Sequence, residues 1–260
     1  MERDQASKFI NDLLKLMVSR SGSDLFITSA FPPAMKVDGK VTKISPQPLT
    51  GNHTLALARS IMNDKQAAEF EASKECNFAI SPPGIGRFRV NAFVQMGQVG
   101  LVMRVIPQTL PTIDGLGVPQ ILKDVVMSKR GLCVLVGATG SGKSTTLAAM
   151  VNYLNETEYG HILTVEDPIE FVHESKKCLI NQREVGPMTL SFAAALKSAL
   201  REDPDAILVG EMRDLETIRL AMTAAETGHL VFGTLHTSSA AKTIDRIIDV
   251  FPAEEKEMIR

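Results

Sequence analysis

Eight consecutive residues carry the strongest chemical signal in the sequence. The segment Gly137-Ala138-Thr139-Gly140-Ser141-Gly142-Lys143-Ser144 matches the pattern Gly-x-x-x-x-Gly-Lys-Ser/Thr. It lies between a buried apolar run at 132–136 and a helical pattern over 144–155, which is the context this pattern requires. Glycines let backbone N–H groups point at phosphate oxygens, and the start of the helix adds partial positive charge. The segment therefore predicts a loop that binds the phosphates of ATP; a glycine-rich turn without a ligand is the alternative.

Individual roles in this loop follow from side-chain chemistry. Lys143 is expected to reach the β- and γ-phosphates, and the Ser144 hydroxyl is expected to bind Mg²⁺. ATP and Mg²⁺ are thus the predicted cofactors. The predicted nucleotide-binding residues are Gly137, Ala138, Thr139, Gly140, Ser141, Gly142, Lys143, Ser144 and Thr145.

Hydrolysis of ATP also needs a group that orients or deprotonates water and a second support for the metal. Two acidic clusters qualify: Glu166-Asp167-Pro168-Ile169-Glu170 follows a strand-like run at 161–165, and Glu211 follows another at 206–209. Ligands of open α/β sheets bind at the carboxyl ends of strands, where both clusters fall. Solvated loop carboxylates are the alternative. Gly210 stands where many enzymes with this loop carry aspartate, so the common pattern alone does not assign the metal-binding carboxylate.

The elements around these clusters alternate between strand and helix. After the strands at 132–136 and 161–165 come further apolar runs at 206–209 and 230–235. Helical patterns over 144–155, 191–202, 214–226 and 238–250 stand between or after them. This alternation predicts an α/β fold with a mostly parallel sheet and helices on both faces.

The first part of the chain has a different pattern. A helix is expected over 5–19 and helix-like stretches near 52–72, with strands at 24–28, 34–44, 87–94 and 101–106. Asp38-Gly39 tolerates positive φ at both positions and predicts a type I′ hairpin turn. A small α+β module with an antiparallel sheet is expected over 1–106. A linker rich in proline and glycine is expected over 107–118, followed by the α/β domain over 119–260.

Composition excludes several classes of protein. Lys and Arg total 28 against 30 Asp and Glu, giving a net charge of −2 and no global basic field that would attract nucleic acid. No signal peptide and no apolar run long enough to span a membrane is visible, so a cytoplasmic protein is expected. Cys76, Cys133 and Cys178 lie far apart, which indicates neither a disulfide framework nor a zinc site.

Several ordered segments together resemble one family. The segments 137–144, 164–170, 210–214 and 227–237 resemble the Walker A, Asp box, Walker B and His box of secretion-type ATPases. Within that superfamily the chain resembles the PilT and PilU retraction ATPases of type IV pili, and 22–28, 86–93 and 201–205 also look like theirs. Segments 137–140 and 75–81 lean toward PilU, whereas 225–234 leans toward PilT, so the subfamily stays open.

The resemblance implies an architecture and a location. It implies a PAS-like N-terminal domain and a RecA-like P-loop ATPase domain in a homo-oligomer, most simply a hexamer. A paralogous retraction ATPase and an inner-membrane pilus platform protein are the implied partners, which would place the chain in the cytoplasm at the pilus base. Relatives continue past 251–256 with a helical region that contains an Ala-Ile-Arg-Ala-Gly-Leu motif, whereas this sequence ends at Arg260.

The resemblance also implies roles for acidic residues and histidines. Glu170 is expected to be the catalytic base, and Glu211 is expected to support Mg²⁺ through water. His229 and His236 are expected to sense the γ-phosphate. A histidine at the end of a strand is more commonly structural, and both flank the run 230–235.

Three arginines complete the implied site. Arg87, Arg89 and Arg104 lie on strands that bring arginines to the nucleotide in relatives, where such groups accelerate phosphoryl transfer by roughly 10³ to 10⁵. Spacing alone favours another interpretation, because Arg87 and Arg89 share one face of a strand and a solvated polar face would look the same.

The expected function is a motor that couples ATP hydrolysis to pilus retraction and twitching motility. A pilus-assembly or type II secretion ATPase is the nearest alternative; those relatives carry longer N-terminal regions than the roughly 130 residues that precede the loop here. A weakly hydrolysing accessory subunit of a partner ring is a second alternative. A DNA-handling RecA-like protein is a third, which the near-neutral charge disfavours.

Overall fold

The computed structural model describes residues 2–107 and 109–259. The chain divides into two compact units, Met1–Gln108 and Thr109–Arg260. In the described residues, no helix combines the length and the apolar character needed to cross a membrane.

The first unit contains a six-stranded sheet in which every neighbouring pair is antiparallel. Its strands are β1 (Asp24–Ile27), β2 (Ala34–Val37), β3 (Lys40–Lys43), β4 (Glu75–Ile80), β5 (Arg87–Gln95) and β6 (Gln98–Ile106). Their order across the sheet is β3-β2-β1-β6-β5-β4. The predicted hairpin is confirmed, because Asp38 and Gly39 have φ values of 48° and 78° between paired strands β2 and β3. The antiparallel sheet is confirmed as well, while β4 was not predicted.

Three helices cover one face of this sheet. They are α1 (Arg3–Ser19), α2 (Gly51–Ile61) and α3 (Asp64–Ser73). Alternate residues of β5, such as Phe88 and Val90, are fully buried and share a core with Ile10 and Leu14 of α1. The helical stretch near 52–72 is two helices because Asn63 forms a capping box with Gln66 and starts α3.

The second unit contains a five-stranded, fully parallel sheet, which confirms the predicted α/β class. Its strands are β7 (Gly131–Val136), β8 (His161–Glu166), β9 (Leu179–Glu184), β10 (Ala206–Val209) and β11 (Leu230–Leu235), in the order β7-β11-β10-β8-β9. Its helices are α4 (Ile113–Leu116), α5 (Ile121–Val126), α6 (Lys143–Thr157), α7 (Phe192–Ala199), α8 (Leu215–Glu226), α9 (Ala240–Asp249) and α10 (Lys256–Ile259).

Helices pack on both faces of the parallel sheet, as predicted. In β10, Ile207 and Val209 join the core formed with α7 and α8, whereas Leu208 joins the core formed with α6 on the other face. The segment 107–118, expected to be a linker, contains α4, and Ile113 of that helix is buried in the core on the α6 face.

The edge strand β9 was missed by the sequence analysis. Its sequence is Leu-Ile-Asn-Gln-Arg-Glu, and only Ile180 and Glu184 are buried. Leu179 is 57% exposed. A polar edge strand lacks the continuous apolar run by which central parallel strands are recognised.

Candidate nucleotide-binding site

The predicted phosphate loop joins β7 to α6. Its glycines Gly137, Gly140 and Gly142 have φ values of 152°, 77° and 92°, which other residues rarely adopt. A Cβ added at Gly137 would lie 2.6 Å from the Ser141 hydroxyl oxygen. Glycine is therefore required for the tight path of this loop into the helix that begins at Lys143.

The side chain of Lys143 folds back over this loop. Its Nζ donates hydrogen bonds to the carbonyl oxygens of Gly137 and Ala138, both at 2.9 Å. Lys143 is thereby held at the loop with its ammonium group beside the first turn of α6. Positive charge from the lysine and from the helix start is concentrated where a phosphate would bind.

One cavity of about 420 Å³ brings most of the predicted groups together. It lies at the carboxyl ends of β8, β10 and β11, beside the loop that follows β7, which is where the sequence analysis placed the crevice. Its lining includes Thr139, Gly140, Gly142, Lys143, Ser144, Thr145, Glu166, Glu170, Glu211 and His236. Gly137 and Ala138 line a neighbouring cavity beside α9.

Glu211 is held between two basic side chains. Arg213 Nη2 donates to Glu211 Oε2 at 2.6 Å, and His236 Nε2 lies 3.3 Å from Glu211 Oε1. The hydrogen bond from Arg213 outweighs partial burial and lowers the pKa of Glu211, with Lys143 adding to the effect. The carboxylate is therefore ionised at neutral pH. The sequence analysis gave Arg213 no role, because only its contact with Glu211 distinguishes it.

Two neutral side chains hold the Glu166 carboxylate. Thr164 Oγ1 donates to Glu166 Oε1 at 2.6 Å, and Gln182 Nε2 donates to the same oxygen at 3.1 Å. Burial raises the pKa of Glu166, and these two hydrogen bonds only partly oppose that effect. The sequence analysis placed Glu166 in the same acidic cluster as Glu170 and chose Glu170 as the base, and that choice stays a prediction.

Glu170 lies in the loop that follows β8 and not on the strand itself. It is exposed and outside regular structure, in a segment of 167–178 that connects β8 to β9. The preceding residue, Ile169, donates its backbone N–H to the buried Glu184 Oε2 at 3.0 Å. Glu170 thus reaches the cavity, but no side chain holds its carboxylate in the way that Thr164 and Gln182 hold Glu166, within the residues described.

The two predicted histidines lie at opposite ends of β11. His236 follows the strand and lines the cavity beside Glu211. His229 precedes the strand, and its Nδ1 lies 3.0 Å from the carbonyl oxygen of Ala224. Six residues separate the two, roughly 20 Å of strand. The structure therefore does not bring His229 to this cavity, and its contacts are those of a residue that ends α8.

The three predicted arginines belong to the first unit. Arg89 of β5 and Arg104 of β6 are direct cross-strand partners, and Arg104 Nε donates to Asp24 Oδ1 at 2.8 Å. Arg87 lies on the same face of β5, and its Nε is buried without a hydrogen-bond partner among the described residues. Their role toward a nucleotide stays a prediction.

The Asp24 carboxylate makes the first unit sensitive to acid. Burial by itself would raise its pKa, but hydrogen bonds from Ser23 and Arg104 outweigh it, so the pKa is lowered. A lowered pKa in the folded state stabilises the fold at pH values above the unfolded-state pKa of about 3.9. That stabilisation is lost as the pH falls through the pKa of the folded state. We expect Asp24→Asn to be less stable at pH 7 and to lose less stability between pH 5 and pH 3.

Urea unfolding of both proteins across this pH range checks the expectation. Asp12→Asn, at an exposed position of α1, is the matched control and should follow the parent chain. Identical acid dependence in Asp24→Asn and the parent would show that the pair with Arg104 contributes nothing.

Comparison with known proteins decides the family. Residues 2–256 match the family described as Type II/IV secretion system protein. The chain belongs to this family. Individual relatives confirm the similarity to retraction ATPases that the sequence segments indicated.

Two relatives from Pseudomonas aeruginosa and one solved structure show how close the similarity is. The chain is 61% identical to the type IV pilus retraction ATPase PilT, covering 96% of this chain and 73% of PilT. It is 50% identical to the type IV pilus ATPase PilU, covering 93% and 63%. A crystal structure of the pilus retraction motor PilT with bound ADP matches with a TM-score of 0.93 and 46% identity, covering 96% and 73%. Identity is thus greater toward PilT than toward PilU.

Proposed function

We propose that this chain is the ATPase of a type IV pilus retraction motor and drives twitching motility. The observation that carries the proposal is the single cavity in which the phosphate loop, Glu166, Glu170 and Glu211 meet. The 61% identity to PilT indicates the process in which the ATPase acts. In this proposal the second unit is a RecA-like P-loop domain over 119–260, and the first is a PAS-like domain over 1–106.

The residues of the cavity have different roles in hydrolysis. Backbone N–H groups of the loop and the Lys143 ammonium stabilise charge on the transferring phosphoryl group. A carboxylate at the end of β8 orients the attacking water and accepts its proton. We assign this role to Glu170, the base chosen from the sequence, which reaches the cavity from the segment after β8. Glu166, whose carboxylate is fixed by hydrogen bonds from Thr164 and Gln182, is the alternative. His236 lies beside Glu211, where it can respond to the γ-phosphate.

The donor set suits Mg²⁺. Among the described residues, no cluster of three or more histidine, cysteine or acidic side chains forms an all-protein metal cage. Mg²⁺ instead prefers one or two protein oxygens together with water and substrate phosphates. Ser144 offers a hydroxyl and Glu211 an ionised carboxylate in the same cavity, and the basic neighbours of Glu211 favour contact through water. When bound, Mg²⁺ would neutralise charge on the β- and γ-phosphates.

The proposal extends to assembly and partners. The working form is a homo-oligomer, most simply a hexamer, with a paralogous retraction ATPase as a possible additional subunit. It acts in the cytoplasm at an inner-membrane pilus platform protein. A pilus-assembly ATPase and a weakly hydrolysing accessory subunit remain the alternatives that an experiment must separate.

Complementation tests the function directly. The gene is expressed in Pseudomonas aeruginosa strains that lack PilT or PilU, and twitching is measured beside ATP turnover and solution mass of the purified chain. Restored twitching in the strain without PilT supports the retraction motor. Rescue only in the strain without PilU, with little turnover, supports the accessory subunit. Strong turnover with neither rescue would overturn the retraction assignment.

The arginines of the first unit give a prediction about cooperation between chains. Arg87, Arg89 and Arg104 are proposed to supply positive charge to a nucleotide on a neighbouring chain, as arginines do in trans elsewhere. Lys143→Ala and Arg104→Ala should each be weakly active alone. Random mixing should restore up to about a quarter of the parent turnover, since that share of head-to-tail interfaces pairs an intact loop with an intact arginine.

Turnover of the mixture is measured beside light scattering, which reports whether mixed oligomers form. Arg89→Ala is tested as a second arginine variant, because it leaves the pair between Arg104 and Asp24 intact. Mixed oligomers without any recovery for either arginine variant would assign these arginines to their own chain or to a solvated strand face.

A further inference from the structure

Arg213 lines the cavity between the end of β10 and the start of α8. Its Nη2 donates to Glu211 Oε2 at 2.6 Å. The other oxygen of the same carboxylate, Oε1, lies 3.3 Å from His236 Nε2. Both oxygens of the carboxylate that is proposed to support Mg²⁺ therefore have a basic side chain beside them.

The backbone that carries Arg213 is fixed on both sides, whereas its side chain is not. Met212 is 1% exposed, and its backbone N–H donates to the carbonyl oxygen of Thr234 at 3.0 Å. Asp214 caps the start of α8. The Arg213 side chain itself is 69% exposed, against 21% for Glu211. The guanidinium is thus attached to a rigid turn but has room to move away from Glu211.

We propose that Arg213 competes with the metal ion for Glu211 Oε2 and thereby keeps the contact between Glu211 and the metal running through water. This inference rests on the proposed function, because it concerns the Mg²⁺ that accompanies ATP in the same cavity. Arg213 is a positioning residue in this role. It acts through the Glu211 carboxylate and sets how tightly the site holds the metal.

The chemistry of the two partners suits this role. Mg²⁺ gives up its waters reluctantly and keeps several of them in most protein sites. A carboxylate oxygen that accepts a charge-assisted hydrogen bond must lose that bond before it can ligate a metal directly. Methionine at position 213 would keep an unbranched stem and lose both the donors and the charge. Lysine would keep the charge without the planar fork of donors.

An ordinary surface ion pair is the alternative explanation. Exposed pairs contribute little to stability and need no function. The pair of Arg213 differs in position, since it lies in the cavity that contains Lys143 and Ser144. Arg219 Nη2 lies 2.8 Å from Glu255 Oε2, and neither residue belongs to the described lining of that cavity. Arg219→Met is therefore a matched control, which removes the same charge from an ion pair outside the cavity.

The test measures how strongly nucleotide and metal cooperate in binding to the full chain. Affinity for a non-hydrolysable ATP analogue is determined with and without Mn²⁺, a paramagnetic ion that also prefers oxygen ligands, and the ratio reports metal binding in the site. Arg213→Met should raise this ratio roughly 5- to 10-fold, because the carboxylate is released for direct ligation. In a Glu211→Gln background the same change should alter the ratio less than about twofold, since the effect passes through that carboxylate.

Pulsed electron paramagnetic resonance of the bound Mn²⁺ gives a second measurement, because it counts the water ligands. Arg213→Met should lose a water ligand relative to the parent chain, and Arg219→Met should lose none. Arg213→Lys should give a ratio between those of the parent and Arg213→Met. Thermal midpoints of these variants should stay close to that of the parent, since exposed ion pairs contribute little to stability.

Several outcomes would overturn the inference. They are an unchanged ratio and water count in a folded Arg213→Met variant, an equal rise in both Glu211 backgrounds, and weaker metal binding without the arginine. Failure of the parent chain to bind the analogue in a Lys143-dependent way would overturn the proposed function and this inference together. Lys143-dependent binding with a parent-like Arg213→Met variant would overturn this inference alone.

Discussion

Lys143→Ala is expected to reduce ATP turnover by roughly 10²- to 10³-fold or more, because the lost ammonium compensates charge on the transferring phosphoryl group. The same group donates to the carbonyl oxygens of Gly137 and Ala138, so its removal also loosens the loop. Affinity for ATP should therefore fall together with kcat. Steady-state turnover and equilibrium binding of a fluorescent ATP analogue measure the two effects separately.

The control for Lys143→Ala is Lys197→Ala. Lys197 lies on α7, is exposed and pairs with Glu216, so its removal changes the net charge equally without touching the cavity. A thermal melt of each variant excludes unfolding as the cause. Turnover close to that of the parent in a folded Lys143→Ala variant would exclude the phosphate loop from the mechanism.

Glu170→Gln is expected to lower turnover by roughly 10²-fold or more while ATP binding is retained, which is the usual cost of removing a general base. Glutamine keeps the size of the side chain and removes only the charge and the basic oxygen. Steady-state turnover and equilibrium binding of an ATP analogue measure the two effects separately.

Glu166→Gln and Glu211→Gln are measured beside it. Glu166→Gln is expected to have the smaller effect on kcat, since the Glu166 carboxylate is already engaged by Thr164 and Gln182. Glu211→Gln should raise the Mg²⁺ concentration needed for half-maximal turnover, because it removes the ionised carboxylate proposed to support the metal. A larger fall for Glu166→Gln, with binding preserved, would assign the base role to Glu166 instead.

Local sequence patterns were sufficient for the phosphate loop and the central strands. The loop is a continuous motif, and its glycines have the positive φ values that the motif demands. Central strands such as β10 and β11 are buried on both faces and therefore appear as apolar runs. The parallel sheet followed from the alternation of these runs with helices.

Features that depend on contacts across the sheet were not accessible from the sequence. The hydrogen bonds that Glu166 accepts from Thr164 and Gln182 are of this kind, and no local pattern reveals them. The missed strand β9 carries Gln182, so that residue could not be considered. The placement of His229 and His236 could have been anticipated, because two residues that flank one strand necessarily lie at its opposite ends.

The order of the parallel strands sets the direction across the cavity. β7, which leads into the loop, and β8, which the acidic cluster follows, are separated by β11 and β10. A phosphate chain held by the loop would therefore extend across β11 toward the carboxylates that follow β10 and β8. Removal of the terminal phosphate would shorten that chain at the end nearest the carboxylates, so a triphosphate and its diphosphate product would differ in what they present to that side of the cavity.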